Sequence, residues 1–196
     1  PEIVESVSMD EYVEVEPLLS PDGMQLYIMS NRPGGLGGTD IWVSDWIDGD
    51  WGEPTNLGAP INSPYSDHCL YFAGADWDVA YWTSTRPGGY GGIDGVGQEA
   101  VNLGANVNSV ASEHHSLPSP DGGSLYVTSV RADGLGGEDI FVTTRDDSGV
   151  WGPLVNLGPA VNSPQHDRCP AFSPDYSVFY FDSEREGGYG NKDLWM

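Results

Sequence analysis

Short runs of alternating apolar and polar residues recur along the chain and predict strands. The run SLYVTS from Ser124, for example, alternates with a period of two, as expected of a strand with one buried face. The runs are rich in Tyr, Val, Ile, Trp and Phe, which favour strands, and Gly, Pro and Asn separate them. No stretch shows a helical period over ten or more residues. The pattern predicts an all-β protein whose short strands are joined by tight turns.

One sequence frame, Y-x-x-S-x-R-x-x-G-x-G-[GN]-x-D, occurs four times. A turn precedes each copy: SPDG at Ser20 and Ser119, AGAD at Ala73 and SPDY at Ser173. An apolar run follows each copy, and after the first three come NLG and then IN or VN. Each unit therefore predicts four short strands. The charged residues of the frame are Arg32, Arg86, Arg131 and Arg185, and Asp40, Asp94, Asp139 and Asp193.

Four-stranded units of about 40–55 residues are typical of β-propeller blades. We therefore predict a single β-propeller domain over 1–196, with four blades of mostly four antiparallel strands. The N-terminal segment 1–10 is expected to complete the last blade and close the ring; the alternative is part of a larger ring of five to eight blades. A short span between Asp94 and Asn102 predicts a truncated third strand in the second blade. The predicted blades are approximately 14–62, 67–108, 113–162, and 167–196 together with 1–10.

The repeat resembles a known family. SPDG followed by LY-x-x-S-x-R and GG-x-GG-x-DI looks like the WD-like repeat of TolB-type propellers. The longer form, with W-x-x-P-x-NLG-x-x-IN, is similar to repeats in bacterial envelope proteins that also carry OmpA-type peptidoglycan-binding domains. The resemblance implies a periplasmic or extracellular propeller used for binding or as a scaffold. It implies no activity, because propellers host many functions.

The charge of the chain limits its partners. Seven Lys and Arg face 30 Asp and Glu, which gives a net charge of −23. Phosphate contacts need basic side chains, so nucleic acid and anionic lipid are excluded as partners. No apolar run approaches the roughly 18–20 residues of a membrane span. We expect a monomer that binds a protein or a carbohydrate, and favour cations, cationic partners or neutral sugars over anions.

The repeated Arg and Asp residues are expected to be structural. Each Arg precedes its Asp by eight residues across a glycine-rich loop. A guanidinium bonded to carbonyls of that loop and to the Asp carboxylate would fix a loop that has few side chains to pack. The alternative is that the four loops form one ligand-binding rim.

A set of four acids falls on the innermost predicted strands, where a closed ring would bring them near the axis. Like charges there need a cation, water or backbone donors, so a Ca²⁺ or Mg²⁺ ion in the central channel is one prediction. Capping of backbone N–H groups is the other. A glycoside hydrolase with acids at the axis is the alternative function, although four equivalent acids lack the different environments that an acid and a base require. The acids are Glu14, Asp67, Glu113 and Asp167.

Two positions further along the same strands lies a mixed layer, in which His115 is a further candidate ligand. A softer metal could use this layer, although ligands placed around an axis rarely reach tetrahedral distances. No catalytic residue is assigned, because the serines of the frame repeat in every unit. The mixed layer consists of Glu16, Cys69, His115 and Cys169.

The remaining candidates are individual residues. Cys69 and Cys169 occupy equivalent positions in blades that a four-blade ring places opposite each other, so free thiols are predicted. His68, His114 and Arg168 are expected to pack between blades. Trp77, in the irregular turn of the second blade, is the aromatic most suited to stack on a sugar.

Overall fold

The chain folds into β-sheets throughout the part that the structure describes. The computed structural model describes residues 4–73, 79–87, 93–96 and 100–196, with backbone only at 93–96. Within these ranges there is no helix, and therefore no helix that could span a membrane. The strands form four antiparallel sheets that follow one another along the chain. The all-β prediction is confirmed.

The first and third sheets carry the regular form of the repeat. In each, the strand after the SPDG turn lies in the middle and pairs with the strand before the turn and with the strand after the glycine loop. In the first sheet, β4 forms a short hairpin with the end of β3. The first sheet contains β1 (Glu14–Leu19), β2 (Gln25–Ser30), β3 (Asp40–Ile47), β4 (Asp50–Trp51) and β5 (Thr55–Asn56). The third contains β10 (Glu113–Pro118), β11 (Ser124–Ser129), β12 (Asp139–Thr144) and β13 (Val155–Asn156).

The second and fourth sheets are shorter. The third strand of the second sheet, β8, has 4 residues where β3 has 8, in keeping with the predicted truncation. The fourth sheet has three strands. The second contains β6 (Asp67–Ala73), β7 (Val79–Ser84), β8 (Ile93–Val96) and β9 (Ala100–Asn102). The fourth contains β14 (Asp167–Phe172), β15 (Phe179–Ser183) and β16 (Asp193–Trp195).

The core lies between successive sheets. Ile41 of the first sheet packs with Trp82 of the second, and Tyr81 of the second packs with Phe141 of the third. Full burial of a side chain such as Phe141 stabilises the fold by roughly 1.5–3 kcal/mol. Contacts between strands join the first sheet to the second, the second to the third and the third to the fourth. Each sheet therefore packs a face against a neighbouring sheet, as blades do.

The described residues do not form the predicted ring closure. Residues 4–10 contain no strand, and β16 pairs with β15 alone. Val7 instead packs against Ile28 and Trp42 of the first sheet. Here the N-terminal segment takes the place that the loop ending in IN or VN takes before each later sheet.

Candidate functional site

The four repeated arginines each bridge the start of a sheet to the segment before it. In the second sheet, Arg86 donates to the Asp67 carboxylate at 2.8 Å and to the carbonyl of Ile61 at 2.5 Å. Its Nε donates to the hydroxyl of Ser84, and its guanidinium lies over the ring of Trp82. The same set of contacts recurs on the other sheets. The acid pairs are Arg32–Glu14, Arg86–Asp67, Arg131–Glu113 and Arg185–Asp167.

The predicted pairing of each Arg with the Asp of its own frame is therefore wrong for the three copies whose side chains are described. Asp40 binds the glycine loop, since its carboxylate accepts from the backbone N–H groups of Leu36 and Gly37. The Asn56 amide donates to the same oxygen and ties the loop to β5. Asp139 makes the same contacts, including the Asn156 amide, and Asp193 accepts from the loop N–H groups of Tyr189 and Gly190. The side chain of Asp94 lies outside the described part.

The four acids of the innermost strands are ion-pair partners of the repeated arginines. Asp67 accepts from the backbone N–H and the hydroxyl of Ser63, both at 2.7 Å, in addition to Arg86. Glu113 and Asp167 cap Ser109 and Ser163 in the same way, and the three side chains have no exposed surface. Burial would raise the pKa of Asp167, but hydrogen bonds from Ser183, Arg185 and Ser163 outweigh it and hold that pKa below its ordinary value. Capping thus accounts for these acids, and among the described residues they do not form a cluster suited to a cation.

The mixed layer two positions further on has an unusual backbone. Each innermost strand carries a β-bulge there, because its register with the next strand shifts by one residue. The residue at the bulge has a φ between 48° and 56°, a left-handed conformation that costs a non-glycine residue about 1 kcal/mol or more. These four residues, called the bulge positions below, are Glu16, Cys69, His115 and Cys169.

Three of the bulge positions converge. One ligand atom each from Glu16, Cys69 and His115 lies within 4.8 Å of the other two. The Cys69 thiol donates to the Glu16 carboxylate at 3.2 Å, and the Cys69 backbone N–H donates to that carboxylate at 2.6 Å. Nδ1 of His115 is buried and has no hydrogen-bond partner. We call these three residues the bulge cluster.

The surroundings of the bulge cluster keep its thiol and imidazole neutral. Burial, followed by the nearby Glu16 carboxylate, raises the pKa of Cys69 far above its ordinary value. Burial, followed by the neighbouring His114, lowers the pKa of His115 to about 4. Cys69 is 2% exposed, whereas the Glu16 side chain is 27% exposed and gives solvent access to the cluster.

Cys169, the fourth bulge position, stands apart from the cluster. Burial and a hydrogen bond to Asp182 raise its pKa to about 12. Both cysteines are free, as predicted. The sequence placed all four bulge residues in one layer, but it did not indicate which of them would meet.

A second group of polar side chains joins the third and fourth sheets. The Glu138 carboxylate lies 2.7 Å from Nε2 of His114, 3.0 Å from Nδ1 of His166 and 2.6 Å from the Arg168 guanidinium. Burial would raise the pKa of Glu138, but His114 and Arg168 lower it. Arg168 also donates to Asp182 and Glu184 on the fourth sheet. We call the six residues the charged seam: His114, Glu138, His166, Arg168, Asp182 and Glu184.

The charged seam breaks the repeat. At the positions of Glu138, Arg168 and Glu184, the first sheet has Thr39, Val15 and Asn31. Sequence reasoning recognised His114 and Arg168 as packing residues but missed the three acids. A position-by-position comparison of the four units would have found them, because these charges are absent from the other copies. Trp77 lies outside the described residues.

Comparisons with known proteins indicate the fold alone. No sequence family matches the chain, and no curated protein resembles it in sequence. A solved structure from a study of two prolyl endopeptidases matches with a TM-score of 0.50 and 14% identity, over 88% of this chain and 23% of that one. A puromycin-hydrolysing peptidase of Mycobacterium tuberculosis matches with 0.48 and 20%, over 87% and 27%, and a periplasmic gluconolactonase of Pseudomonas aeruginosa with 0.43 and 18%, over 84% and 45%.

The chain thus spans about a quarter of the first two solved structures that it resembles. The prolyl endopeptidase match supports a β-propeller-like fold. At such identities the likeness carries no information about activity.

Proposed function

We propose that the chain is a non-catalytic binding module made of consecutive propeller blades, which takes a cationic partner at the charged seam. The observation that carries this proposal is the engagement of every basic side chain in an internal contact. Arg145 lies over Trp151, Lys192 pairs with Asp182, and the five other arginines pair with acids. The surface therefore offers carboxylates far in excess of available cations, and its field attracts positive partners.

The charged seam is favoured as the contact surface because it is a group of charged side chains that the repeat does not explain. A contact that recurs on every sheet is accounted for by the framework, whereas the charged seam occurs once among the side chains that the structure describes. Its members are partly exposed: the Glu138 and Glu184 side chains are 14% and 33% accessible. A cationic side chain approaching Glu184 would gain a carboxylate that Arg168 already holds in place.

The blades are proposed to form an open arc. Contacts between strands link the first sheet to the second, the second to the third and the third to the fourth. A side chain built on Gly190, in the loop of the fourth sheet, would meet nothing within 4 Å. The equivalent Gly37 and Gly136 lie against the backbone of the next sheet's leading segment. The closed four-blade ring is the alternative. A TolB-like origin and a periplasmic or extracellular location are proposed from the repeat motif alone.

A glycoside hydrolase is less well supported. The acids expected to act near the axis are paired with arginines, and Asp67, Glu113 and Asp167 have no surface that a sugar could touch. A general acid and a general base must reach the glycosidic bond and have different environments. The capping framework gives these acids the same environment in each sheet.

A binding titration tests the proposal with synthetic basic, neutral and acidic peptides of equal length and with xylo- and cello-oligosaccharides. We expect binding of basic peptides that weakens with salt. Glu184→Gln should weaken it about threefold or more, since a partly exposed charge pair contributes up to about 1 kcal/mol. The control is Glu186→Gln, an exposed acid outside the seam that should change binding little. Equal loss in both variants would reject the seam, and hydrolysis of an oligosaccharide would reject the non-catalytic assignment.

A further inference from the structure

The bulge cluster has the composition and spacing of a transition-metal site. Its three ligand atoms are a carboxylate oxygen, a sulfur and an imidazole nitrogen, each within 4.8 Å of the other two. In tetrahedral coordination with bonds of about 2.0–2.3 Å, ligand atoms lie about 3.5 Å apart. The 3.2 Å between the Cys69 sulfur and the Glu16 oxygen already matches that separation. A rotation of the His115 side chain would bring its ring nitrogen to the same separation from the sulfur and the carboxylate oxygen.

The backbone directs these side chains towards one another. Glu16, Cys69 and His115 come from three successive sheets and share the left-handed bulge conformation. The β-bulges of the innermost strands therefore aim the three side chains at a common point. The Cys69 N–H also fixes the Glu16 carboxylate from behind, as groups behind a metal ligand commonly do.

The polar atoms of the cluster lack a full set of partners without a cation. Nδ1 of His115 is buried and has no hydrogen-bond partner, which costs free energy in the folded protein. The Cys69 thiol is enclosed, and its sulfur lies 3.1 Å from Nδ1 of His68. A metal ion bound through Nδ1 would give His115 its missing partner, and it would take the place of the thiol proton as the partner of the Glu16 carboxylate.

We propose that Glu16, Cys69 and His115 bind a borderline-soft divalent ion of the Zn²⁺ class, with water as the fourth ligand. One thiolate, one imidazole and one carboxylate suit Zn²⁺ or Co²⁺. Ca²⁺ and Mg²⁺ prefer several oxygen ligands, which this cluster does not supply. Binding forms a metal–sulfur bond and releases the Cys69 proton to solvent, so the affinity rises with pH. This proposed ion differs from the predicted axial Ca²⁺ or Mg²⁺, and its ligand set shares only His115 with the residues predicted for that ion.

The fourth bulge position provides a matched control. Cys169 has the same left-handed backbone as Cys69, and it lies outside the bulge cluster. Metal titrations of the chelator-treated protein, Cys69→Ser and Cys169→Ser should therefore separate a built site from a reactive thiol. Co²⁺ is the spectroscopic probe, because a thiolate ligand gives a charge-transfer band in the near ultraviolet. Zn²⁺ binding is followed by calorimetry.

We expect the wild-type protein and Cys169→Ser to bind one equivalent of Zn²⁺ and to show the cobalt band. Cys69→Ser should lack the band and bind at least about 100-fold more weakly, because even groups behind a ligand contribute about 10–100-fold. If Cys69→Ser proves unfolded by circular dichroism, His115→Gln replaces it, with the same expected loss of affinity. Absence of binding to the wild-type protein, a band that survives in Cys69→Ser, or displacement of Co²⁺ by millimolar Ca²⁺ would each overturn the proposal.

Discussion

At the scale of single residues, the framework depends on buried ion pairs that the strand register creates. Glu113 pairs across the sheet with Ser129, and Arg131 follows two residues later, so that acid and guanidinium meet at the start of the sheet. The Arg also holds the carbonyl of Val107 from the preceding segment. Each such pair therefore fastens one sheet to the chain that leads into it. A buried pair of this kind is costly to break, because one charge is left without its partner.

Asp167→Asn should test this role and its dependence on pH. The Asp167 pKa is lowered in the folded protein, so its stabilisation is complete above the unfolded pKa of about 3.9 and is lost as the pH falls through the lowered value. We expect the variant to lose about 2–3 kcal/mol of unfolding free energy at pH 7, at the low end for buried pairs because Arg185 is 18% exposed. The difference should narrow as the pH falls below about 4 in urea titrations. Asp133→Asn, at an exposed position, should show no such loss; a pH-independent difference would contradict the ion-pair role.

The sequence predicted which residues belong to the framework better than it predicted their partners. Four arginines at one repeat position indicated a structural role, and the structure gives each the same contacts. Arg32 and Asp40 are only eight residues apart, which suggested a pair, yet the carboxylate turns to the loop N–H groups. Loop backbone needs acceptors for its N–H groups, and the short Asp side chain reaches them while the long Arg reaches the preceding segment.

At the scale of elements, the glycine loops act as spacers between sheets. A methyl group on Gly136 would overlap the backbone carbonyl oxygens of Ser163 and Gln165, in the segment leading into the fourth sheet. The loop and that segment are also joined by the hydrogen bond from the Gly137 N–H to Gln165. Glycine is needed here for close approach between two backbones rather than for a positive φ. The third sheet is thereby held against the fourth.

Gly136→Ala should destabilise the protein, whereas Gly190→Ala should not. Both glycines occupy the same position of the frame, but Gly190 has open space where Gly136 has backbone. We expect Gly136→Ala to lower the unfolding free energy by about 1–3 kcal/mol, because backbone must shift to make room. Gly190→Ala should stay within about 0.5 kcal/mol of wild type. Urea unfolding of both variants measures the contrast; equal losses would mean that the two loops are packed alike.

The strands were predictable because alternation and turn residues are local signals. The bulges were not, since a left-handed residue at Glu16, Cys69 or His115 carries no glycine to mark it. The convergence of three bulge residues depends on how the sheets sit against one another, which no local pattern contains. The mixed layer was visible in the repeat, and only the structure selected three of its four members.

At the scale of the whole molecule, the presence or absence of a contact between the first and last sheets decides whether the four sheets form a closed ring or an open arc. In the first and third sheets the loop after the middle strand contacts the leading segment of the next sheet. In the described residues the fourth sheet lacks an equivalent contact with residues 4–12. A ring would supply it, and an arc would leave β16 as a free edge.

Disulfide trapping distinguishes the two shapes. A methyl group on Gly38 would lie 2.8 Å from the Ser66 hydroxyl. Cysteines introduced as Gly38→Cys and Ser66→Cys should therefore form a disulfide across the interface between the first and second sheets. The equivalent pair in the repeat is Asn191→Cys and Val13→Cys. We expect no intramolecular cross-link there, as judged by thiol counting and gel mobility under oxidising conditions. Cross-linking of both pairs to the same extent would establish a closed ring.

The left-handed bulges have a consequence for protein engineering. The strand register fixes their backbone, and three residue types, Glu, Cys and His, already occupy the four positions at a conformational cost that glycine would avoid. We expect residues there to be exchangeable without altering the strand pairing, because the same bulge forms with each of these side chains. The bulge positions are thus sites at which a designer could introduce a chosen set of metal-ligating side chains while leaving the scaffold unchanged.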